Sequence, residues 1–492
     1  MKTKESDRMQ TPLDYMTDWA DGIRCWQAVY RLQSEPVVSA ASARKKGFKR
    51  ASELLAHSRQ HSPFYAKYYS SIPTDSPLEA YPPVARSTLM DHFDEWATDR
   101  RIDKKSVNHF LSSTDTIGER YLDNYLVWTS SGTCGEPGIY VQDKNAMSIY
   151  QSLISVRYQQ SGHASASTDP WHLVLNSDRM AMIAALEGHF AGTVYWKWAA
   201  RLNPWLSSRT RTFSILQPVA TLVERLNDWQ PGFMSSYPSM LAVLANEQKS
   251  GRLKLSLNSL WSGGEQLGEQ QKRKIEAAFG CNIVEDYGAS EAMNMAFGCD
   301  HGRLHINTDW FILEPVDENR QVLPAGEKSA TTLVTNLASR LQPIIRYDIG
   351  DSITLHTDAC DCGNPLPTLS IEGRNDDTLW LPANEADHIP ILPLALNTVI
   401  EEMANEFGFQ INQIGAQELS IRTQGDDIQS RREAFDKIRA PLKQYFESQG
   451  TLPVKLQHDP RPPQRNAVSG KLNQVNNRSR VDHHVSTCPA SE

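Results

Sequence analysis

The residues in this 492-residue chain whose types and spacing could do chemistry sit in short polar segments that follow apolar runs. The first run, Tyr125-Leu126-Val127-Trp128, leads into Thr129, Ser130, Ser131, Gly132, Thr133, Cys134, Gly135, Glu136 and Pro137. Gly132 and Gly135 can take positive φ at little steric cost. The hydroxyls of Thr129, Ser130, Ser131 and Thr133, together with backbone N–H groups, can donate to phosphate oxygens. Taken alone, the stretch reads equally as a phosphate cradle or as an ordinary polar turn. Four more segments follow in order: Ser262-Gly263-Gly264-Glu265, then Asp286-Tyr287-Gly288-Ala289-Ser290-Glu291, then Arg346-Tyr347-Asp348-Ile349-Gly350-Asp351, and near the far end Val468-Ser469-Gly470-Lys471-Leu472. An aromatic followed by glycine, Tyr287-Gly288, can lay a flat ring against a planar base while bare backbone lets the base approach. A hard carboxylate such as Glu291 suits Mg²⁺, and the two oxygens of Asp351 suit a vicinal diol.

A separate set of residues suits a softer metal. Cys299, His301 or His305, Cys360 and Cys362 offer three thiolates and one imidazole, the donors of a tetrahedral structural Zn²⁺ site. The alternative is free buried thiols beside a surface histidine. Cys25, Cys134, Cys281 and Cys488 have no partner that sequence can argue for. No G-x-x-x-x-G-K-[ST] occurs, so a P-loop NTPase is poorly supported.

These segments need elements to position them. A chain of this length needs more than one core. With 40% hydrophobic and 22% charged residues, it has the composition of a soluble globular protein. A net charge of -8 weighs against a nucleic-acid partner. No window approaches about 18 apolar residues, so no transmembrane helix is expected. The first residues lack the apolar core of a signal peptide, and seven cysteines without a secretory signal fit a reducing cytoplasm. Apolar spacing of three and four predicts helices over 13–32 and 43–69, the second interrupted by a turn at Ser62-Pro63-Phe64-Tyr65 with a core aromatic. From 125 to 371, apolar runs at 171–175, 212–216, 257–261, 282–285 and 330–335 alternate with helical stretches at 218–229 and 268–279, the latter stopping at Gly280. That alternation predicts an α/β fold with layered helices and a largely parallel sheet, whose ligands gather beyond the strand ends. After 372–377 the pattern becomes a small α+β domain: helices at 395–407 and 431–447, strands at 418–422 and 452–456, and a polar tail from 483. The expected domains are 1–375 and 376–492.

In this order and spacing, the five segments resemble the adenylate-forming superfamily of acyl-CoA synthetases, and in detail the phenylacetate-CoA ligase branch with its capsule-biosynthesis (CapK-like) relatives. The resemblance spans roughly residues 43–475. It implies a large N-terminal adenylation domain and a small mobile C-terminal domain. By this resemblance ATP is held by the Thr129–Gly135 loop, by Gly264 and Glu265, by Asp286, Tyr287, Gly288 and Ser290, and by Asp351 and Arg374. Tyr287 would pack on adenine, Glu291 would help hold Mg²⁺, and Asp351 would accept both ribose hydroxyls. Arg374 would meet ribose and phosphates, its rigid donor fork suiting phosphate. Asp376 falls at the hinge position, and Lys471 matches the lysine whose ammonium stabilises charge as the acyl-adenylate forms. By position Gly263, Gly288 and Ala289 line an acyl pocket, with His189, Phe190 and Tyr237 as candidate walls; His189 reads equally as a satisfied core histidine.

The function implied is ATP-dependent activation of a small-molecule carboxylic acid, aromatic by branch, to an acyl-adenylate. The acyl group then passes to the thiol of CoA or of a phosphopantetheinyl carrier protein, in aromatic catabolism or secondary-metabolite biosynthesis. ATP, Mg²⁺ and a structural Zn²⁺ are the cofactors of this reading, which also admits a homodimer. The chain departs from the pattern in four places. It has Cys134 where many members carry threonine, no lysine around 136–138, an extra negative charge at Glu136, and an altered post-hinge stretch at 378–384. These departures keep two other readings open: adenylation with a nitrogen acceptor, and a catalytically silent nucleotide-binding scaffold.

Overall fold

The computed structural model describes residues 12–130, 137–160, 179–371, 378–383, 388–404, 406, 408–464 and 474–477. These fall into two compact units, one holding the described residues up to 371 and the other those from 378 onward.

The first unit begins with helices. Pro12–Ser34 is followed by Ala40–His61, which Ser39 opens with a reciprocal capping box to Ser42. Ser62 ends that helix and caps the next, Pro63–Tyr68, where Pro63 occupies the first turn and Phe64 and Tyr65 are buried. Proline lacks the N–H that a continuous helix would need, so the expected break falls here.

The strands of this unit are β1 (Leu126–Thr129), β2 (Ile139–Gln142), β3 (Met180–Ala184), β4 (Thr210–Ser214), β5 (Phe233–Ser236), β6 (Ser259–Gly263), β7 (Ile283–Ala289), β8 (Ala292–Gly298), β9 (Leu304–Ile306), β10 (Phe311–Val316), β11 (Thr331–Asn336), β12 (Ile344–Asp348), β13 (Ile353–His356) and β14 (Thr368–Ile371). Among the described residues, nine of them form one sheet in the order β13-β14-β9-β8-β7-β6-β5-β3-β4. Strands β4, β3, β5, β6 and β7 are mutually parallel, and β8, β9, β14 and β13 continue antiparallel. The crossover helices bury one face each: Leu222, Val223, Leu226 and Trp229 in Val219–Trp229, and Ile275 and Phe279 in Glu269–Phe279, which stops at Gly280 with φ 70°. Strands β10, β11 and β12 form a separate antiparallel sheet, and β1 pairs with β2.

Two expectations change here. The sheet is half parallel rather than largely so, because β7 turns back as a hairpin into β8. The segment Asp286–Ala289 therefore lies within a strand: Asp286 pairs with Phe297, Tyr287 with Ala296 and Ala289 with Ala292. The same holds for Arg346, Tyr347 and Asp348, which lie in β12. The run at 171–175 lies outside the described residues.

The second unit contains a hairpin, β15 (Leu379–Leu381) with β16 (Ile389–Ile391), and a sheet of β17 (Gln410–Gly415), β18 (Glu418–Arg422), β19 (Lys455–His458) and β20 (Val475–Asn477) in the order β19-β18-β17-β20. Its long helix, Ile428–Gln449, starts at an Asp427–Ser430 capping box and stops at Gly450 with φ 79°. Phe435, Ile438, Leu442, Tyr445 and Phe446 are buried along one face. The helix expected at 395–407 is instead Pro393–Thr398 continued by a π-helical turn, Val399–Met403.

Candidate active site

The carboxyl ends of the parallel strands gather most of the candidate residues. Beyond β3 comes Ala185, beyond β5 Tyr237, at the end of β6 Gly263 and Gly264, and in the last turn of β7 Asp286 to Ala289. Gly264 has φ 81°, and the Tyr237 ring lies 3.1 Å from where its side chain would begin. The phenol of Tyr237 accepts from the Ala185 N–H at 3.4 Å. Tyr237, Gly264 and Ala185 thus form one wall.

The flank of the Thr129 loop is fixed to this edge. Thr129 donates its N–H to His189 O at 2.8 Å and forms a parallel bridge with Phe190. Trp128 Nε1 donates to Ser290 O at 2.8 Å, and Ser290 Oγ donates to Thr129 O at 3.4 Å. Ser130 Oγ accepts from Gly138 N–H at 2.8 Å, and a hydroxyl that accepts one bond can still donate another. Ser131, Gly132, Thr133 and Gly135 lie outside the described residues, as do Arg374, Asp376 and Lys471.

Glu291 is the centre of a buried polar cluster. Its Oε1 accepts from Tyr140 Oη at 2.8 Å and from Tyr347 Oη at 2.7 Å, and Arg86 Nη2 lies 3.5 Å away. Burial, with the adjacent carboxylate, pushes both phenols well above their ordinary range, so they stay protonated donors. Burial works against the Arg86 charge, but Tyr347 and Glu291 outweigh it and raise the guanidinium pKa. Arg86 Nη1 is buried without a hydrogen-bond partner among the described residues. Among those residues every bond to the Glu291 carboxylate falls on Oε1, which leaves Oε2 for an incoming cation. Gly138 is required beside this cluster, since a side chain there would begin 2.4 Å from Tyr140 Oη. Sequence reasoning missed Arg86, Tyr140 and Tyr347. Tyr347 stands in a motif that was recognised, whereas nothing in the local sequence of Arg86 or Tyr140 connects them to Glu291.

Tyr287 and Asp351 are brought together: the buried phenol donates to Asp351 Oδ2 at 3.0 Å. Asp286 accepts from Asn294 Nδ2 at 3.0 Å, and burial pushes its carboxyl up to about 6.

Three candidates have protein partners or packing of their own. At Gly288 a side chain would begin 2.8 Å from Asn294 N, so glycine accommodates the β7–β8 bulge. Glu265 directs its carboxylate to Ser239, accepting from its N–H at 3.0 Å and its hydroxyl at 2.9 Å, and so caps the helix Pro238–Lys249. His189 is buried, its Nε2 3.0 Å from Ser113 O and its ring against Phe110. Burial lowers its pKa, which favours the neutral imidazole, and its Nδ1 is buried without a hydrogen-bond partner among the described residues. Gly263, Phe190 and Ala289 stay at the strand ends. A side chain at Gly263 would make only ordinary contact with Asp286 O at 3.5 Å, so space does not demand glycine there.

The cysteine and histidine set also assembles. The donor atoms of Cys299, His305, Cys360 and Cys362 all lie within 4.8 Å of one another. Cys299 Sγ and Cys360 Sγ are 3.7 Å apart, and Cys362 Sγ is 3.2 Å from His305 Nε2. His305 Nδ1 donates to Leu366 O at 2.9 Å, leaving the Nε2 lone pair directed at the thiols. His301 is exposed and paired with Asp300, so His305 is the histidine of this group.

A family model described as AMP-binding enzyme matches residues 73–327. The phenylacetate-coenzyme A ligase of Thermus thermophilus is 25% identical over 266 residues, covering 51% of this chain and 55% of that protein. Protein CapK of Staphylococcus aureus is 24% identical over 197 residues, covering 38% and 40%. The chain therefore spans about half the length of these curated relatives. A crystal structure of 2-hydroxyisobutyryl-CoA ligase, in complex with 2-HIB-AMP and CoA, superposes with a TM-score of 0.55 at 19% identity, covering 89% of this chain and 90% of that one. At that identity the likeness bears on the fold alone. No helix among the described residues is long and apolar enough to cross a membrane.

Proposed function

The chain belongs to the AMP-binding enzyme family, and on that premise we propose that it activates a carboxylic acid with ATP and passes the acyl group to the thiol of CoA. The observation that carries this reading is the convergence at one sheet edge. Tyr287 donates to Asp351 at 3.0 Å, while Glu291, four residues on, lies beside the flank of the Thr129 loop through Ser290. In the first step a carboxylate oxygen attacks the α-phosphorus and the bond to pyrophosphate breaks. In the second a thiol sulfur attacks the acyl carbon and AMP leaves.

Asp351 would receive the ribose hydroxyls, and Arg374 and Lys471 would neutralise phosphate and carboxylate charge. Glu291 fits Mg²⁺: it is a buried hard-oxygen donor with Oε1 anchored by two phenols and Oε2 left over. When bound, the ion supplies charge neutralisation across the phosphates. Arg86 is the cation that this geometry brings to Glu291, and the sequence around 136–138 carries no lysine of its own. An aromatic acid, as for the phenylacetate-coenzyme A ligases that the chain resembles, is the substrate class of this proposal.

The Cys299–His305–Cys360–Cys362 cluster fits a structural Zn²⁺. In a tetrahedral site with Zn–S bonds of about 2.3 Å, neighbouring sulfurs stand ~3.8 Å apart, close to the Cys299–Cys360 separation of 3.7 Å.

The acceptor is tested by measuring pyrophosphate release with and without CoA, amines and carrier protein. The proposal expects CoA to accelerate release and to be recovered as a thioester. Turnover indifferent to CoA, with amide as the product, would replace the thiol by a nitrogen acceptor.

A further inference from the structure

The helix Pro12–Ser34 carries its hydrophobic and charged faces the wrong way round for an isolated subunit. Asp18, Asp21, Cys25 and Val29 are buried on its inner side. The two acids are held there by Arg120, whose Nη2 lies 2.5 Å from Asp18 and 2.9 Å from Asp21. Lys144 adds a contact to Asp21 at 3.7 Å. Outside, Met16 is 70% exposed, Trp19 73%, Ile23 37%, Trp26 48% and Tyr30 71%. Rotating the helix to bury this stripe would pull Asp18 and Asp21 away from Arg120 and strand buried charge, so the outward orientation is fixed.

The exposed positions recur at intervals of three, four, three and four. This is the spacing of a seam that meets another helix, not of scattered surface residues. From this stripe we infer that two copies of the chain associate through the helix Pro12–Ser34, packed antiparallel about a point between Ile23 and Trp26. About that point the stripe is self-complementary: Ile23 of each copy meets Trp26 of the other, and Trp19 meets Tyr30. At about 150–250 Å² per aromatic side chain, the exposed parts of Trp19, Trp26 and Tyr30 come to roughly 400 Å² on one helix. With Met16 and Ile23 added, two stripes face to face remove on the order of 1,000 Å² from water, the size at which specific pairing begins. Antiparallel packing also opposes the two helix dipoles and keeps Arg31 of one copy away from Arg31 of the other. Residues 1–11 are polar apart from two methionines.

The test uses the full chain in sedimentation velocity across a concentration series. The wild type should run at twice the mass of Trp19→Glu/Tyr30→Glu, and the double variant should keep the wild-type circular dichroism and melting point. A wild type that stays monomeric throughout overturns the inference, whether or not the helix then binds lipid vesicles. A double variant that stays dimeric also overturns it. Orientation is read with a short bis-maleimide cross-linker against the parent chain as background. Ile23→Cys, close to the axis, should gain a dimer band, and Met16→Cys, whose copies lie at opposite ends, should not. A band of equal strength from both variants would mean parallel packing and contradict the arrangement.

Discussion

One strand, β8, has a polar cluster at each end, and the two clusters are built from opposite chemistry. Glu291 stands immediately before its first residue and Cys299 immediately after its last, roughly 25 Å apart for a strand of this length. Because β8 runs antiparallel to β7, the Glu291 end lies with the carboxyl ends of the parallel strands and the Cys299 end lies away from them. The first cluster uses hard oxygen and guanidinium groups, and keeps an arginine nitrogen and a carboxylate oxygen unpaired among the described residues. The second uses thiols and an imidazole aimed at one another. Unpaired hard polar groups suit a charged ligand, whereas soft donors aimed at one another suit a structural metal that would tie chain segments together. Cys299 follows β8, His305 lies in β9, and Cys360 and Cys362 lie between β13 and β14. A metal there would fasten the β9–β14 pair, for which two residue registers join the strands.

The comparison breaks if damage at the two ends has the same consequence. The largest expected effect is Glu291→Gln, which should lower acid-dependent ATP–pyrophosphate exchange by about 10²–10³-fold. The weakened bonds to Tyr140, Tyr347 and Arg86 should cost stability by only about 1–3 kcal/mol, measured as a urea midpoint. Next is removal of metal by a chelator, or Cys362→Ser. Either should release zinc measured by elemental analysis and lower the melting point by on the order of 10 °C. Exchange measured well below the transition should stay within about threefold, as expected of distant, independent sites. Less than half an equivalent of zinc in mildly purified protein counts against the metal.

Smaller effects are expected at the Glu291 end. Gly288→Ala would bring a methyl group to 2.8 Å from Asn294 N, forcing the β7–β8 bulge to shift at a cost of about 1–3 kcal/mol. Because the bulge carries Tyr287, the KM for ATP should rise more than kcat falls. The smallest effect concerns pH. The Asp286 carboxyl is held at about 6 in the folded chain, above its unfolded value of about 3.9. The folded state therefore binds more protons than the unfolded state between those values, and this contribution to stability is lost as pH rises from about 4 to 6. Asp286→Asn keeps the acceptor for Asn294 and should flatten that part of the stability–pH curve. An unchanged curve would remove Asp286 as its source.

Much of the fold was legible because its signals are local. The break at Pro63, the stop at Gly280 and the buried stripe from Phe435 to Phe446 each follow from residue type and helical period. The β7–β8 hairpin was not legible, since Asp286-Tyr287-Gly288-Ala289 has the composition of a loop and becomes strand only through pairing with β8. The same limit applies to the site. Tyr287 with Asp351 and the Cys/His group could be named from motif order and donor chemistry. Arg86 could not, because it reaches Glu291 across 205 residues of sequence through tertiary packing alone. Gly288, Glu265 and His189 show a related ambiguity. A small or polar residue near a ligand edge can equally well answer a neighbouring strand, a helix end or a carbonyl.

Acyl-adenylate formation is read by ATP–pyrophosphate exchange over a panel of aryl, arylacetic and fatty acids. The account predicts that at least one acid supports exchange in the absence of CoA, and that Lys471→Ala lowers this exchange by about 10²–10³-fold while sparing transfer from preformed acyl-adenylate. A protein that binds ATP yet shows no acid-dependent exchange with any member of the panel would contradict it.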